Sequence, residues 1–162
     1  MADTPPDSVI AQIFSWSGTT LSLFFFLSPI VLYLELSKTK NVEKIPGMMV
    51  IFTTLNTAFW LVYGFGGAGT PVWVCNGIGL IFNTTYVVWY LLYFFYENLT
   101  LKITSIGSSI LVIGGFVAIG LVAYNDKEFA DKVKDVFGYI ALVMNIIMYA
   151  SPGQNIVSSI FY

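Results

Sequence analysis

Four asparagines and one tryptophan stand where hydrocarbon-like sequence surrounds them: Asn56 and Trp60 in "LNTAFWLVYG", Asn76 in "VCNGIG", Asn83 in "IFNTTY" and Asn145 in "MNIIMY". An amide side chain both donates and accepts, so it pairs with adjacent hydroxyls. An indole offers a flat apolar face and one N–H. Together these groups recognise an uncharged molecule that carries hydroxyls at its edges and C–H on its faces. A sugar has that form, although amino acids and nucleosides use similar groups. Covalent chemistry is excluded by composition. The chain has no histidine and a single cysteine, Cys75, so it holds no Ser-His-Asp or Cys-His site, no Cys/His metal cage and no internal disulfide. The glycines of "GGAGTP" lack the Lys-Ser/Thr of a phosphate loop.

The elements that must position these groups follow from where charge is missing. Apolar residues make up 57% of the chain and charged residues 10%, against about a quarter charged in a soluble domain. No charge occurs between Asp7 and Glu35, Lys44 and Glu97, Lys102 and Asp126, or after Asp135. A crossing of hydrocarbon about 30 Å thick takes roughly 20 helical residues. The second gap is long enough for two, with the turn signal "GFGGAGTP" between them. Five crossings are expected, over residues 9–34, 46–65, 72–95, 103–124 and 136–160. The first is too long for a signal-peptide core and has no positive segment before it.

In such surroundings an unpartnered amide costs several kcal/mol, so each polar residue must face another helix or a wet cavity. Interhelical hydrogen bonding is the common use. Asn76 differs in having Gly77 and Gly79 beside it, which leaves room next to the amide. Orientation rests on lysine, because arginine is absent. Lys38, Lys40 and Lys44 in "SKTKNVEKIP" place that loop in the cytoplasm and the N-terminus outside. Lys102 then lies inside, and the loop "NDKEFADKVKD" lies outside with three lysines and four acids. The sequon at Asn98 falls on the cytoplasmic side and is expected to be unused. Glu35 is the only acid near a hydrocarbon boundary, which argues against proton coupling.

"SKTKNVEKIP", "LNTAFWLVYG", "CNGIG…YVVWYLLYF" and "MNIIMYASPG", in that order, resemble the SWEET sugar transporters from about residue 18 to 155. The resemblance implies an all-α polytopic membrane protein: one three-helix bundle, a linker helix and the first helix of a second parallel bundle. On this chain that division gives an extracytoplasmic tail at 1–8, the bundle at 9–96, the linker at 97–125 and the further helix at 126–162. The chain also contains a repeat of its own. An offset of 123 residues pairs Ser28-Pro29 with Ser151-Pro152, Ser22 with Asn145 and Phe25 with Met148. A proline inside a helix removes a hydrogen bond and bends it. Two bends related by an axis along the membrane normal allow two halves to rock.

Residue by residue, the resemblance implies that Asn76 and Trp60 bind substrate, with Asn56 on the same wall. It implies that Ser22, Phe25, Asn145 and Met148 line the cavity where substrate size is selected. Pro29, Pro46 and Pro152 correspond to hinge prolines, and Tyr63-Gly64 to a gating pair. It implies a facilitative carrier of mono- or disaccharides in a plasma membrane or endomembrane, using no cofactor, metal or nucleic-acid partner. The family's sixth and seventh crossings lie beyond Tyr162, so a fragment, or a short form assembling as a homo- or hetero-oligomer, is expected. Two alternatives stand beside this reading: a related triple-helix-bundle carrier of amino or organic acids, which "SPGQN" faintly resembles, and a non-transporting short form that partners a full-length transporter.

Overall fold

Backbone N–H and C=O groups find no partner in hydrocarbon, so a chain that crosses it as separate segments must close its hydrogen bonds within each one, as a helix. The computed structural model describes residues 9–45 and 47–161, with side chains described through residue 148 except those of 44 and 48. Among the described residues all regular structure is helical: α1 Val9–Leu27, α2 Ile30–Thr39, α3 Gly47–Tyr63, α4 Thr70–Phe94, α5 Leu99–Asn125 and α6 Lys127–Phe161. Four stretches among them are long and apolar enough to span a membrane: Val9–Thr39, Met49–Ala68, Thr70–Phe94 and Leu99–Asn125. The fifth expected crossing falls within α6, most of whose second half lies beyond the described side chains.

The first crossing is two helices. Its chain turns at Ser28-Pro29 and restarts as α2, with Pro29 at φ −71° and ψ −12°. Pro46 lies outside the described residues. The side chain of Pro152 does too, and α6 continues as one helix past that position. A proline that costs one hydrogen bond can be absorbed as a kink without ending a helix.

The expected loop at 125–135 is corrected. Only Asp126 separates α5 from α6, and the charged residues form the first turns of α6. Asp126 caps that helix by accepting from the Phe129 N–H at 3.1 Å. Lys132–Glu128 and Lys134–Asp131 then pair along its exposed face. Such i,i+4 and i,i+3 pairs support a helix in water. α3 continues into a single wide turn, Gly64–Ala68; Gly67 within it (φ 111°) and Gly69 just after it (φ 114°) take backbone angles that only glycine adopts freely.

α3 is the centre of the assembly and packs against α4, α5 and α6, while α1 rests on α4. The third crossing therefore lies between the first and the second. One core cluster joins Tyr33 and Leu36 of α2 to Tyr86 of α4. Another joins Ala58 and Leu61 of α3 to Leu80 of α4. Phe116 meets Phe59 and Phe137 edge to face, and those two tilt against each other at 49°, where α3, α5 and α6 converge. Outward faces carry large apolar side chains such as Phe14 and Leu111. In lipid these incur no hydrophobic penalty, because acyl chains are as apolar as the side chains.

Candidate functional site

The cleft begins with a stripe on α1. Gln12, Ser15, Thr19 and Ser22 recur at intervals of three, four and three, which puts them on one helix face. Thr19 Oγ1 donates to the Ser15 carbonyl at 3.0 Å and lies 3.4 Å from the Pro71 carbonyl at the head of α4. Ser22 Oγ donates to the Gly18 carbonyl at 2.9 Å. Facing this stripe are Cys75 and Asn76 of α4 and Trp60 of α3. Together they border a cleft of about 890 Å³, and among the described residues no Asp, Glu, Lys or Arg lines it.

Asn76 Nδ2 donates to the Val72 carbonyl of its own helix at 2.8 Å. Its oxygen and second N–H remain for a ligand. The Trp60 ring stands edge-on to Tyr63, with centroids 5.4 Å apart and planes at 82°. Tyr63 closes α3 and presses on α6 at Gly138, where an added Cβ would lie 2.9 Å from the ring. Gly64 follows, so close to α4 that a Cβ there would lie 2.7 Å from the Trp73 nitrogen. Tyr63 thus bridges Trp60 of the cleft to α6, while Gly64 is set against α4.

The structure brings together three of the seven expected substrate residues, Ser22, Trp60 and Asn76. Asn56, one turn before Trp60, is buried and donates from Nδ2 to Asn145 Oδ1 of α6 at 2.8 Å. Its own Oδ1 is buried with no partner. This amide pair joins α3 to α6 and lies outside the cleft lining. Asn83 likewise ties α4 to α3 through Thr57 Oγ1 at 2.9 Å. Phe25 is 75% exposed, and Met148 is half-buried on α6; neither lines the cleft. Pro29 borders a separate pocket of about 240 Å³ with Tyr33 and Tyr86. Gln12, Ser15, Thr19 and Cys75 line the cleft without having been singled out from sequence, although the polar stripe of α1 was readable from its helical spacing.

Lipid-facing helices around an uncharged polar cleft define a polytopic helical membrane protein. Residues 12–98, more than half the chain, match the family described as sugar efflux transporter for intercellular exchange, and the chain belongs to that family, one of transporters and not of enzymes. It is similar to the bidirectional sugar transporter SWEET1 of Arabidopsis thaliana, 32% identical over 148 residues, covering 90% of this chain and 58% of the relative. SWEET17 of the same plant is 29% identical over 137 residues, 83% of this chain and 56% of the relative. SWEET2b of Oryza sativa subsp. japonica is 30% identical over 141 residues, 84% and 59% respectively. The chain spans a little over half the length of these relatives. No solved structure matches it.

Proposed function

We propose that the chain contributes the sugar-gripping wall of a facilitative carrier that moves mono- or disaccharides down their gradient by alternating access. The observation that carries this reading is the meeting of Trp60, Asn76 and Ser22 in one cleft without charge, of about 890 Å³. That volume lies within the usual range for small-molecule sites. The indole covers a C–H face of the sugar, and the amide and hydroxyl engage its edge. Asn56 and Asn145 hold the wall from behind, and Tyr63, edge-on to Trp60, moves with it as the gate. Phe25 and Met148 belong to this scheme as surfaces met by helices beyond those described.

Lys40 and Lys102 both lie over the Tyr96 ring, at 5.3 and 5.4 Å, which supports a shared cytoplasmic face for the first loop and the start of α5. The N-terminus is then extracytoplasmic, in a plasma membrane or endomembrane. The chain spans a little over half the length of its relatives, which supports assembly with further helices, from a longer chain or from a second copy.

The test is gradient-driven sugar flux in cells lacking hexose uptake. Flux is expected to be lost in Asn76→Ala and to be indifferent to a proton gradient. Flux unchanged by Asn76→Ala overturns the reading. Proton-dependent flux of amino or organic acids would favour the rival carrier class.

A further inference from the structure

We propose that Tyr86 is a positioning residue: a latch that fixes the angle between α1 and α2 across the Pro29 break and so sets the spacing of the cleft walls. Pro29 has no N–H, so the Phe25 carbonyl loses its helical donor. Ser28 compensates locally, with its Oγ 2.8 Å and its N 3.2 Å from that oxygen. The next carbonyl, of Phe26, has no such neighbour. Its hydrogen bond comes from the Tyr86 hydroxyl at 2.9 Å, sixty residues away on α4. The same Tyr86 ring stacks on Tyr33 of α2, with centroids 4.6 Å apart and planes at 19°. One buried side chain thus holds the last turn of α1 by its hydroxyl and the first turns of α2 by its ring.

The rest of α4 fits this arrangement. Gly79, two turns before Tyr86, leaves a notch that the Phe26 ring occupies, and an added Cβ would overlap that ring. Beyond the break, α2 has a second tie, Trp89 Nε1 to Ser37 Oγ at 2.9 Å. At the break itself the tie from α1 to α4 is the Tyr86 hydroxyl; further up α1, Thr19 lies 3.4 Å from the Pro71 carbonyl and the Ser22 hydroxyl hydrogen-bonds the Cys75 thiol. The pocket of about 240 Å³ beside Pro29, Tyr33 and Tyr86 gives the joint room to move. Ser22 stands one turn before Phe26, so a pivot there moves Ser22 relative to Cys75 and Asn76. α2 stays anchored while α1 swings. The functional consequence rests on the carrier reading; the latch itself does not.

Cys75, the only cysteine, is buried on the opposing wall and reports the spacing directly. The experiment measures the rate at which a membrane-permeant maleimide modifies Cys75 in the full chain in liposomes. Tyr86→Phe keeps the stack and removes only the hydroxyl; labelling is expected to quicken about ten-fold, the scale of one lost hydrogen bond. Trp89→Phe, which releases α2 and not α1, is expected to stay within about two-fold, well under one such bond. An unchanged rate in Tyr86→Phe, or an equal rise in Trp89→Phe, overturns the proposal. If Tyr86→Phe does not fold, Gly79→Ala decides: it displaces Phe26 from its notch and should quicken labelling, and an unchanged rate overturns the latch. Labelling needs no substrate, so a chain that moves no sugar still tests it.

Discussion

At the scale of single residues, what matters is which polar groups remain free once the helices have packed. Asn76 spends one N–H on Val72 and keeps the rest, while Asn56 spends its N–H on Asn145. Asn76→Ala is therefore expected to weaken sugar binding by about 1–3 kcal/mol, roughly five- to 150-fold. Equilibrium binding to the full-length carrier checks this, and the fold should be intact because no helix–helix bond is lost. Asn145→Ala should behave in the opposite way. It leaves Asn56 buried with both ends of its amide unpaired, which costs about 1–2 kcal/mol of stability. The double variant Asn56→Leu/Asn145→Leu should recover most of that loss, as read by unfolding in detergent. Sequence identified both amides, and could not say which one binds a neighbour: that depends on α6 passing beside α3, a long-range fact. Phe25 shows the limit of a repeat offset, because pairing two positions along the chain does not fix which way either one faces.

Helices and turns were legible in proportion to how local their causes are. Charge-free gaps delimit α3, α4 and α5 to within a few residues, and Pro29 marks the break between α1 and α2. The charged stretch 127–135 was harder. Its charge reads as a loop, but an Asp126 cap and two lysine–acid pairs make it helix. Asp126→Ala is expected to fray that end and lower stability by about 0.5–2 kcal/mol, visible as faster amide exchange at 127–131. The turn at Gly64 tests a tighter constraint. A methyl group there meets the Trp73 backbone, which cannot move aside without shifting the head of α4. Gly64→Ala should destabilise the protein by about 1–3 kcal/mol. It should also reduce sugar affinity, because Asn76 is carried on the same two turns; unchanged unfolding would show that the close approach is not tight.

Across the whole molecule, direction in the membrane is decided by few charges. Lys38, Lys40, Lys44 and Lys102 stand against Lys127, Lys132 and Lys134, a bias of four to three. The second group is partly neutralised by its own carboxylates, with Lys132 and Lys134 paired to Glu128 and Asp131. Lys40 and Lys102 instead lie over the Tyr96 ring. Acids contribute little to orientation, so the count of lysines near the span ends should dominate. Replacing Lys38, Lys40 and Lys102 by glutamine leaves Lys44 alone on its side and reverses the bias. A glycosylation site appended ahead of residue 1 is expected to be modified in the natural sequence and to lose modification in the triple variant. If the appended site stays modified, lysine placement does not set the direction, and the extracytoplasmic N-terminus must rest on helix packing instead. If it is unmodified from the start, the cleft head formed by α1 and the Gly64–Ala68 turn faces the cytoplasm, and the sides from which substrate enters and leaves exchange.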